Sequence, residues 1–231
     1  MCLASLKYGH ISHMIINRKS FKDFGANDDA AKEWAENVYG SWAKLYPAFI
    51  KDVQRSGEFE GYWSTHDPLS YYCGNAYYNA NEYFRSKGRG NASFDSLKTE
   101  IDNIIEGAPR IPENIVVYRA LGDISFWDFK TLNGLQLPFV ELGPMSTSLS
   151  ASILTRKQDD PSSDFSACRY ALKIFVPKGA KAIFIDEIAK NNEKMKRGEI
   201  ELLFFSGSKL YMESYPYKQW GKTIVDCSLA L

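Results

Sequence analysis

The sequence contains few of the residues that bind metals or form disulfides: four cysteines and three histidines in 231 residues. The cysteines are scattered along the chain, at Cys2, Cys73, Cys168 and Cys227. No CxxC pair is present, so we expect free thiols in a reducing compartment. The histidines form no HExxH motif, and we therefore expect no metal site.

Long apolar runs and an excess of one charge are also missing. No stretch of about 18 apolar residues occurs, so no membrane span is expected, and the first residues do not resemble a secretory signal peptide. Lys plus Arg and Asp plus Glu both number 28, which argues against a large nucleic-acid footprint. Neither a Walker A motif nor Gly-x-Gly-x-x-Gly nor Gly-x-Ser-x-Gly is present.

Hydrophobic residues make up 45% of the chain, which is enough for the core of one fairly large domain. A helix is predicted to begin at Asp28 or Asp29 as the capping residue. Its apolar positions at spacings of three and four are Trp34, Val38, Trp42 and Leu45. Residues 51–66 are predicted to form a loop.

Two more helical stretches follow. Asp67 and Pro68 are typical of an N-cap followed by proline at the first helical position, and the stretch to Arg85 is helical with an expected break near Gly74. Asn91 or Ser93 is expected to cap a third helix, which Gly107 closes.

After residue 110 the pattern changes to short β-branched and aromatic runs separated by turns. The predicted strands begin with Ile115–Arg119 and continue with Met145–Leu149, Ala171–Val176, Lys181–Asp186, Glu199–Phe205, Leu210–Met212 and Thr223–Ser228. Helices first and strands later predict an α+β fold, a helical lobe (28–110) packed on mainly antiparallel sheets (111–231), after an extension of 27 residues. We expect all of this to form one domain.

Three of the predicted strands carry polar signatures. Arg119 ends the first, Ser146-Thr147-Ser148 form the second, and Glu199-Ile200-Glu201 begin the third. Alternation along a strand would place both glutamates on one face, where burial and mutual repulsion can separate their pKa values. Each signature alone has a plain explanation as a solvated strand end or an edge strand.

In this order, the sequences VVYRAL, MSTSLS and EIELLF resemble the Arg-Ser-Glu class of mono-ADP-ribosyltransferases. The chain is similar to the clostridial exoenzymes that modify Rho proteins and to the catalytic domain of iota-type and vegetative insecticidal binary toxins. AKEWAENVYGSWAKL and YYCGNAYYNANEYFR resemble the family's helices, so that the resemblance covers roughly residues 28–213. It implies a core of two sheets, NAD as the substrate and no metal.

The resemblance also implies roles for individual residues. Glu201 would hold the ribose and stabilise the developing cation, Ser146 would orient Glu201, and Arg119 would hold phosphate and brace the site. Further NAD contacts are implied for Arg85, Ala120, Asn75 and Tyr77.

The segment 151–170 resembles the family loop that folds over the nicotinamide, and its aromatic residue and arginine correspond to Phe165 and Arg169. Their spacing is one residue longer than in the family. We expect this loop to move as it excludes water from a reactive cation.

Glu199 indicates which type of residue accepts the ADP-ribose. Relatives with glutamate at this position modify arginine, whereas the Rho-modifying exoenzymes have glutamine and modify asparagine, so the resemblance implies an arginine acceptor. The preceding loop lacks the aromatic residue that both toxin groups use in target recognition, so neither actin nor Rho is indicated. The loop is instead basic, with Lys190, Lys194, Lys196 and Arg197.

Three alternatives stay open at this point: hydrolysis of NAD with water as the acceptor, transfer to a nucleic acid, and an inactive NAD-fold binding module. The last is disfavoured because Arg119, Ser146 and Glu201 are all intact. We expect a monomer without membrane association that acts on a macromolecule, most simply a host protein. It would work in the cytoplasm or be delivered into a host cell as an effector or phage protein.

Overall fold

The structure is a computed structural model that describes residues 16–86, 91–122, 131–132, 135–136, 138–157, 165–191 and 198–231. The helices are α1 (Asp28–Ser56), α2 (Pro68–Tyr71), α3 (Tyr77–Arg85), α4 (Ala92–Glu106) and the single turn α5 (Ile185–Ile188). The strands are β1 (Ile115–Leu121), β2 (Thr131–Leu132), β3 (Leu135–Gln136), β4 (Phe139–Val140), β5 (Met145–Ser148), β6 (Tyr170–Val176), β7 (Ala182–Phe184), β8 (Glu201–Phe204), β9 (Lys209–Met212), β10 (Tyr217–Gln219) and β11 (Lys222–Leu229). The predicted α+β class, with helices before strands, is confirmed.

The cap of helix α1 lies one residue before the predicted Asp28: the Asn27 side chain accepts a hydrogen bond from the backbone N–H of Ala30 at 3.1 Å. Trp34 is buried as predicted, but Leu45 is 66% exposed. The buried stripe passes instead through Tyr46, which lies one position further along the helix.

Residues 51–56, predicted as loop, are the last turns of α1. The helix continues past Pro47 because Ile50 and Val53 extend its buried face at helical spacing. It ends at Gly57, whose φ of 78° is the left-handed conformation that glycine adopts without strain.

The next helical stretch has the predicted start and the predicted break. The Asp67 side chain accepts the N–H of Leu69 at 2.9 Å, and Pro68 occupies the first turn. A π-helical turn over Tyr72–Ala76 then separates α2 from α3 at Gly74. Such turns redirect side chains and are frequent at functional sites. Helix α4 is capped by Asn91 and ends at Gly107, also as predicted.

The main sheet has the strand order β4-β9-β11-β6-β1-β5-β8-β7, with β10 paired to β11. Its strand pairs among the described residues are antiparallel except β6 with β11. Strands β2 and β3 pair with each other in a separate two-stranded sheet. Strands β1 and β5 share the single register pair Tyr118–Ser148, so the sheet opens there into two parts.

Apolar layers cover both faces of this split sheet. One core packs Trp34 and Tyr39 of α1 against β1, β5, β6 and β8. A second core joins Leu97 and Ile101 of α4 to Ile183 and Leu203 of β7 and β8. Helix α4 therefore packs on the smaller part of the sheet, whereas the core that contains α1 includes strands of both parts. Among the described residues, no helix has the length and apolar character needed to cross a membrane.

Two predicted strands are shorter than expected. The strand predicted over Lys181–Asp186 ends at Phe184, and Asp186 lies in α5. Strand β8 begins at Glu201 because Ile200 has a φ of 52°, outside the extended range. Glu199 therefore lies before the strand.

Candidate active site

A cleft of about 660 Å³ lies where β1 and β5 diverge, with α3 and the π-helical turn along its other side. Most of the predicted site residues line it: Tyr77, Arg85, Arg119, Ala120, Ser146, Phe165, Glu199 and Glu201. The topology thus brings together residues from five separate parts of the sequence. A cleft of this size can hold a dinucleotide-sized ligand.

Two arginines in the cleft share one buried carboxylate. Glu141, 2% exposed, accepts from Arg119 Nη2 at 2.8 Å and from Nε and Nη2 of Arg85, both at 3.2 Å. The loop that carries Glu141 packs tightly on α3, because a Cβ added to Gly143 would lie 2.7 Å from the Phe84 ring. Glu141 therefore ties β1 to the end of α3.

The electrostatics of this group follow from burial and pairing. Burial favours a neutral Glu141, but the charges of Arg119 and Arg85 outweigh burial and hold the pKa of this carboxyl below its ordinary value. Burial lowers the pKa of Arg119, and Glu141 opposes that change. Arg119 Nη1 is buried and has no hydrogen-bond partner among the described residues, so the pair leaves one donor for a further acceptor.

The opposite wall is built from β5 and β8. In their antiparallel register Ser148 lies opposite Glu201, and Ser146 lies opposite Leu203, two residues further along the same face. Ser146 and Glu201 are therefore diagonal neighbours, and the residue directly across from Glu201 is Ser148.

The predicted strand over both glutamates is wrong at Glu199, which lies before β8, whereas both side chains line one cleft as the sequence predicts. Ile200 turns with positive φ, and its side chain is buried in the core at 1% exposure. Glu199 precedes the strand, and its carbonyl accepts the Ser148 hydroxyl at 2.7 Å. The kink at Ile200, rather than a regular strand, sets the position of Glu199 relative to Glu201.

Sequence reasoning missed two residues of the site, Glu141 and Tyr72. The Tyr72 hydroxyl donates to Asn81 Oδ1 at 2.9 Å and contacts the Pro144 carbonyl at 3.4 Å, and burial raises its pKa. Tyr72 lies within YYCGNAYYNANEYFR, so the helix motif could have indicated it. Glu141 belongs to no motif, and only its partners show its importance.

Three of the predicted residues, taken one by one, lie in different surroundings. Phe165 lines the cleft from a short 3₁₀ turn, Phe165–Ala167. Arg169 is exposed before β6 and is not among the described residues that line the cleft. The backbone of Asn75 lies in the π-helical turn, but its side chain is outside the described part of the structure.

The basic loop before Glu199 lies largely outside the described residues, including Lys194, Lys196 and Arg197. Lys190 is described, and its ammonium pairs with Glu187 at 2.5 Å and with Glu36 at 3.2 Å. Its positive charge is therefore already matched by these two carboxylates.

The described residues of the cleft carry no arrangement of three or more His, Cys, Asp or Glu side chains suited to a metal ion. Two guanidiniums on one wall and two carboxylates on the other suit a ligand with an anionic part and a part that becomes cationic.

Comparisons with known proteins show a similar fold. The fold is similar to that of Plx2a, an ADP-ribosyltransferase toxin from Paenibacillus larvae, with 19% identity over 91% of this chain and 100% of that chain, at a TM-score of 0.64. The Clostridium limosum C3 exoenzyme gives 19% identity, 92% and 98% coverage and a TM-score of 0.62.

A third similar structure is BECa, the ADP-ribosylating toxin of a binary enterotoxin of C. perfringens, determined with NADH. Its identity is 18% and its TM-score 0.61, over 91% of this chain and 50% of that chain. No curated protein matches the sequence. The sequence model of the ADP-ribosyltransferase exoenzyme family matches residues 31–226. The chain therefore belongs to the ADP-ribosyltransferase exoenzyme family.

Proposed function

We propose that this enzyme breaks the bond between nicotinamide and ribose in NAD and transfers ADP-ribose to an arginine side chain of a target protein. The observation that carries the proposal is the convergence of Arg119, Ser146, Glu199 and Glu201 on one cleft, although they come from three strand regions. Side chains so far apart in the sequence have no structural need to share one surface.

In this proposal the two walls of the cleft hold the two ends of NAD. Arg85 and the remaining donor of Arg119 bind the diphosphate, because guanidinium forks match phosphate oxygens. Departure of nicotinamide leaves a cationic ribose carbon, and the carboxylate of Glu201 stabilises that charge as it develops. Both glutamates are shielded from water, at 9% exposure or less, which strengthens such an interaction.

The acceptor is assigned to arginine through Glu199. A carboxylate accepts hydrogen bonds from a guanidinium, orients it and favours its attack on the ribose carbon. The new bond joins a guanidinium nitrogen to that carbon, and the nitrogen loses one proton. The target is proposed to be a host protein, reached as a delivered effector or toxin, and the enzyme to act as a monomer.

Glu199→Gln and Glu201→Gln variants test this assignment. Labelled NAD is mixed with enzyme and a host-cell lysate, with and without nuclease, and nicotinamide release and macromolecular labelling are both measured. Glu199→Gln should lose labelling while keeping much of the slow NAD hydrolysis. Glu201→Gln should lose at least about a hundredfold in both, because the charge that stabilises the cation is gone.

Glu100→Gln is the matched control, because it removes a buried carboxyl on α4 that does not line the cleft. It should leave both activities unchanged. Mass spectrometry then locates the modification. ADP-ribose on asparagine, on cysteine or on nuclease-sensitive material would reject the arginine acceptor. Hydrolysis without any transfer would identify an NAD glycohydrolase, and no turnover of NAD would reject the proposal.

A further inference from the structure

The turn that carries the two glutamates is held by two side chains and one backbone N–H from residues 148–156. Arg156 Nη1 donates to the Gly198 carbonyl, and Ser148 Oγ donates to the Glu199 carbonyl at 2.7 Å. The backbone N–H of Leu149 donates to the Ile200 carbonyl at 3.1 Å. The carbonyls of residues 198–200 are thus all fixed from the β5 side of the turn.

The backbone N–H groups of the same turn are held from the other side by one carboxylate. Asp186 Oδ2 accepts the N–H of Ile200 at 2.9 Å, and the Asp186 carboxylate also accepts the N–H of Glu201. Asp186 belongs to α5, directly after β7, which pairs with β8. It does not line the cleft, so it acts on the site only through the backbone.

The conformation that Asp186 holds is a strained one. Ile200 has a φ of 52°, and a β-branched residue is a genuine outlier in the left-handed region. Residues in such conformations persist only where their surroundings fix them. The result is that the Ile200 side chain enters the core while Glu199 and Glu201, on either side of it, both line the cleft.

We propose that Asp186 is a positioning residue that fixes the kink at Ile200 and so sets the positions of Glu199 and Glu201 within the cleft. The catalytic consequence rests on the proposed function, whereas the structural role does not. Without Asp186, the turn can relax toward an extended strand. An extended strand would still place both glutamates on one face, but it would change the direction in which residue 199 approaches β8 and so shift the Glu199 carboxylate relative to the cleft.

The chain offers a closely matched control at the other end of the same strand. Asp102, on α4, accepts the N–H of Ser206 at 2.9 Å just after β8 ends. Asp102 and Asp186 are both aspartates that bind a backbone N–H, and burial raises the pKa of each. They differ in that the Asp102 end of β8 carries no proposed catalytic group.

The test compares Asp186→Ala and Asp186→Asn with Asp102→Asn, using purified full-length protein. Steady-state NAD hydrolysis gives kcat and KM, and amide hydrogen exchange reports on Ile200, Glu201 and Ser206. A shift of about 1 Å in a catalytic group can cost about a hundredfold, so Asp186→Ala should lower kcat by about thirtyfold while KM changes by less than about twofold.

Asp186→Asn keeps one oxygen acceptor in place and should lower kcat by only about fivefold, in proportion to the hydrogen bonds it retains. Amide exchange should accelerate at Ile200 and Glu201 in both Asp186 variants, and at Ser206 alone in Asp102→Asn. The Asp102 variant should keep kcat within about twofold, because its end of β8 is remote from the glutamates.

Two results would overturn the proposal: unchanged exchange at Ile200 and Glu201 in both Asp186 variants, or an equal loss of kcat in Asp102→Asn and Asp186→Asn. The second result would mean that general stability, rather than position, controls activity. If the unmodified protein shows no NAD turnover, the proposed function fails, and the exchange measurements alone decide whether Asp186 holds the kink.

Discussion

The two walls of the cleft are organised in different ways. On the arginine wall, formed by Arg119, Arg85 and Glu141, charged side chains hold one another through three hydrogen bonds to a single carboxylate. On the glutamate wall, formed by Glu199 and Glu201, the backbone of the turn is held, and Asp186 provides two of the contacts.

The difference matches what each wall has to do. Groups that bind a fixed anion benefit from a permanent partner that keeps them charged and aligned in the absence of the ligand. A carboxylate that stabilises a developing cation must keep its own charge available, so its position is better fixed through the backbone than through a cation of the protein. The expected outcomes below test this contrast.

The largest effect on folding is expected for Glu141→Gln. This change leaves two guanidiniums, one of them only 12% exposed, around a neutral amide. Removing one partner of a buried charge cluster typically costs about 3–5 kcal/mol, so the free energy of unfolding should fall by about 3 kcal/mol. Urea denaturation at pH 7 measures the loss. The control is Asp52→Asn, which breaks the exposed ion pair with Arg55. A smaller loss of unfolding free energy in Glu141→Gln than in this control would contradict the prediction.

The same variant should have a distinctive pH dependence. The pKa of Glu141 lies below its unfolded value of 4.5, so its stabilisation is fully present above about pH 4.5. It is lost as the pH falls through the lower folded pKa, because the carboxyl then takes up a proton. The difference between wild type and Glu141→Gln should therefore be largest near neutral pH and shrink below pH 4.5. A difference that grows on acidification would contradict this sign.

Replacing the arginines singly separates binding from folding on the arginine wall. Arg119→Ala and Arg85→Ala should each weaken NAD binding by roughly 1.5–3 kcal/mol, the value of a charged hydrogen bond. Arg119→Ala should also destabilise the fold more than Arg85→Ala does, since Arg119 is the more buried partner of Glu141 and Arg85 is 32% exposed. Calorimetric titration with NAD and thermal unfolding measure the two effects. Unchanged affinity in both variants would reject the phosphate site.

The smallest effect concerns the Phe165 turn at the edge of the cleft. Lys222, 3% exposed, donates from Nζ to the carbonyls of Phe165 at 2.8 Å and Ser166 at 3.2 Å, and to that of Cys168. Lys222→Met keeps the aliphatic stem but releases these carbonyls, so NAD affinity should fall about threefold as Phe165 loses its fixed position.

Lys218→Met is the control for this prediction, because Lys218 is exposed on β10 and its ammonium donates to Thr223 Oγ1 at 2.7 Å, away from the turn. It should leave NAD affinity unchanged. Equal affinity of the Lys222 variant and wild type for NAD would show that the turn is not involved in binding.

Local sequence patterns predicted much of the fold. Helix starts could be predicted at Asp67, Pro68 and Asn91, because these side chains satisfy or remove backbone N–H donors within the next three residues. Such short-range contacts can be recognised in the sequence. The end of α1 was missed for the converse reason. Pro47 and the polar residues after it suggest a loop, and only the packing of Ile50 and Val53 on other elements extends the helix to Ser56.

For the active site, the sequence by itself determined the chemical groups: an arginine at a strand end, a serine pair and a glutamate pair, in an order that identifies the family. Their meeting in one cleft follows from strand order, which places β1 beside β5 and β5 beside β8 although they are distant in the chain. Only the tertiary structure decided that Glu141 joins Arg119 to Arg85, and that Ile200 kinks where a strand was expected. Both depend on partners 14 to 56 residues away, Asp186 for Ile200 and Arg85 for Glu141, and no local periodicity reports such contacts.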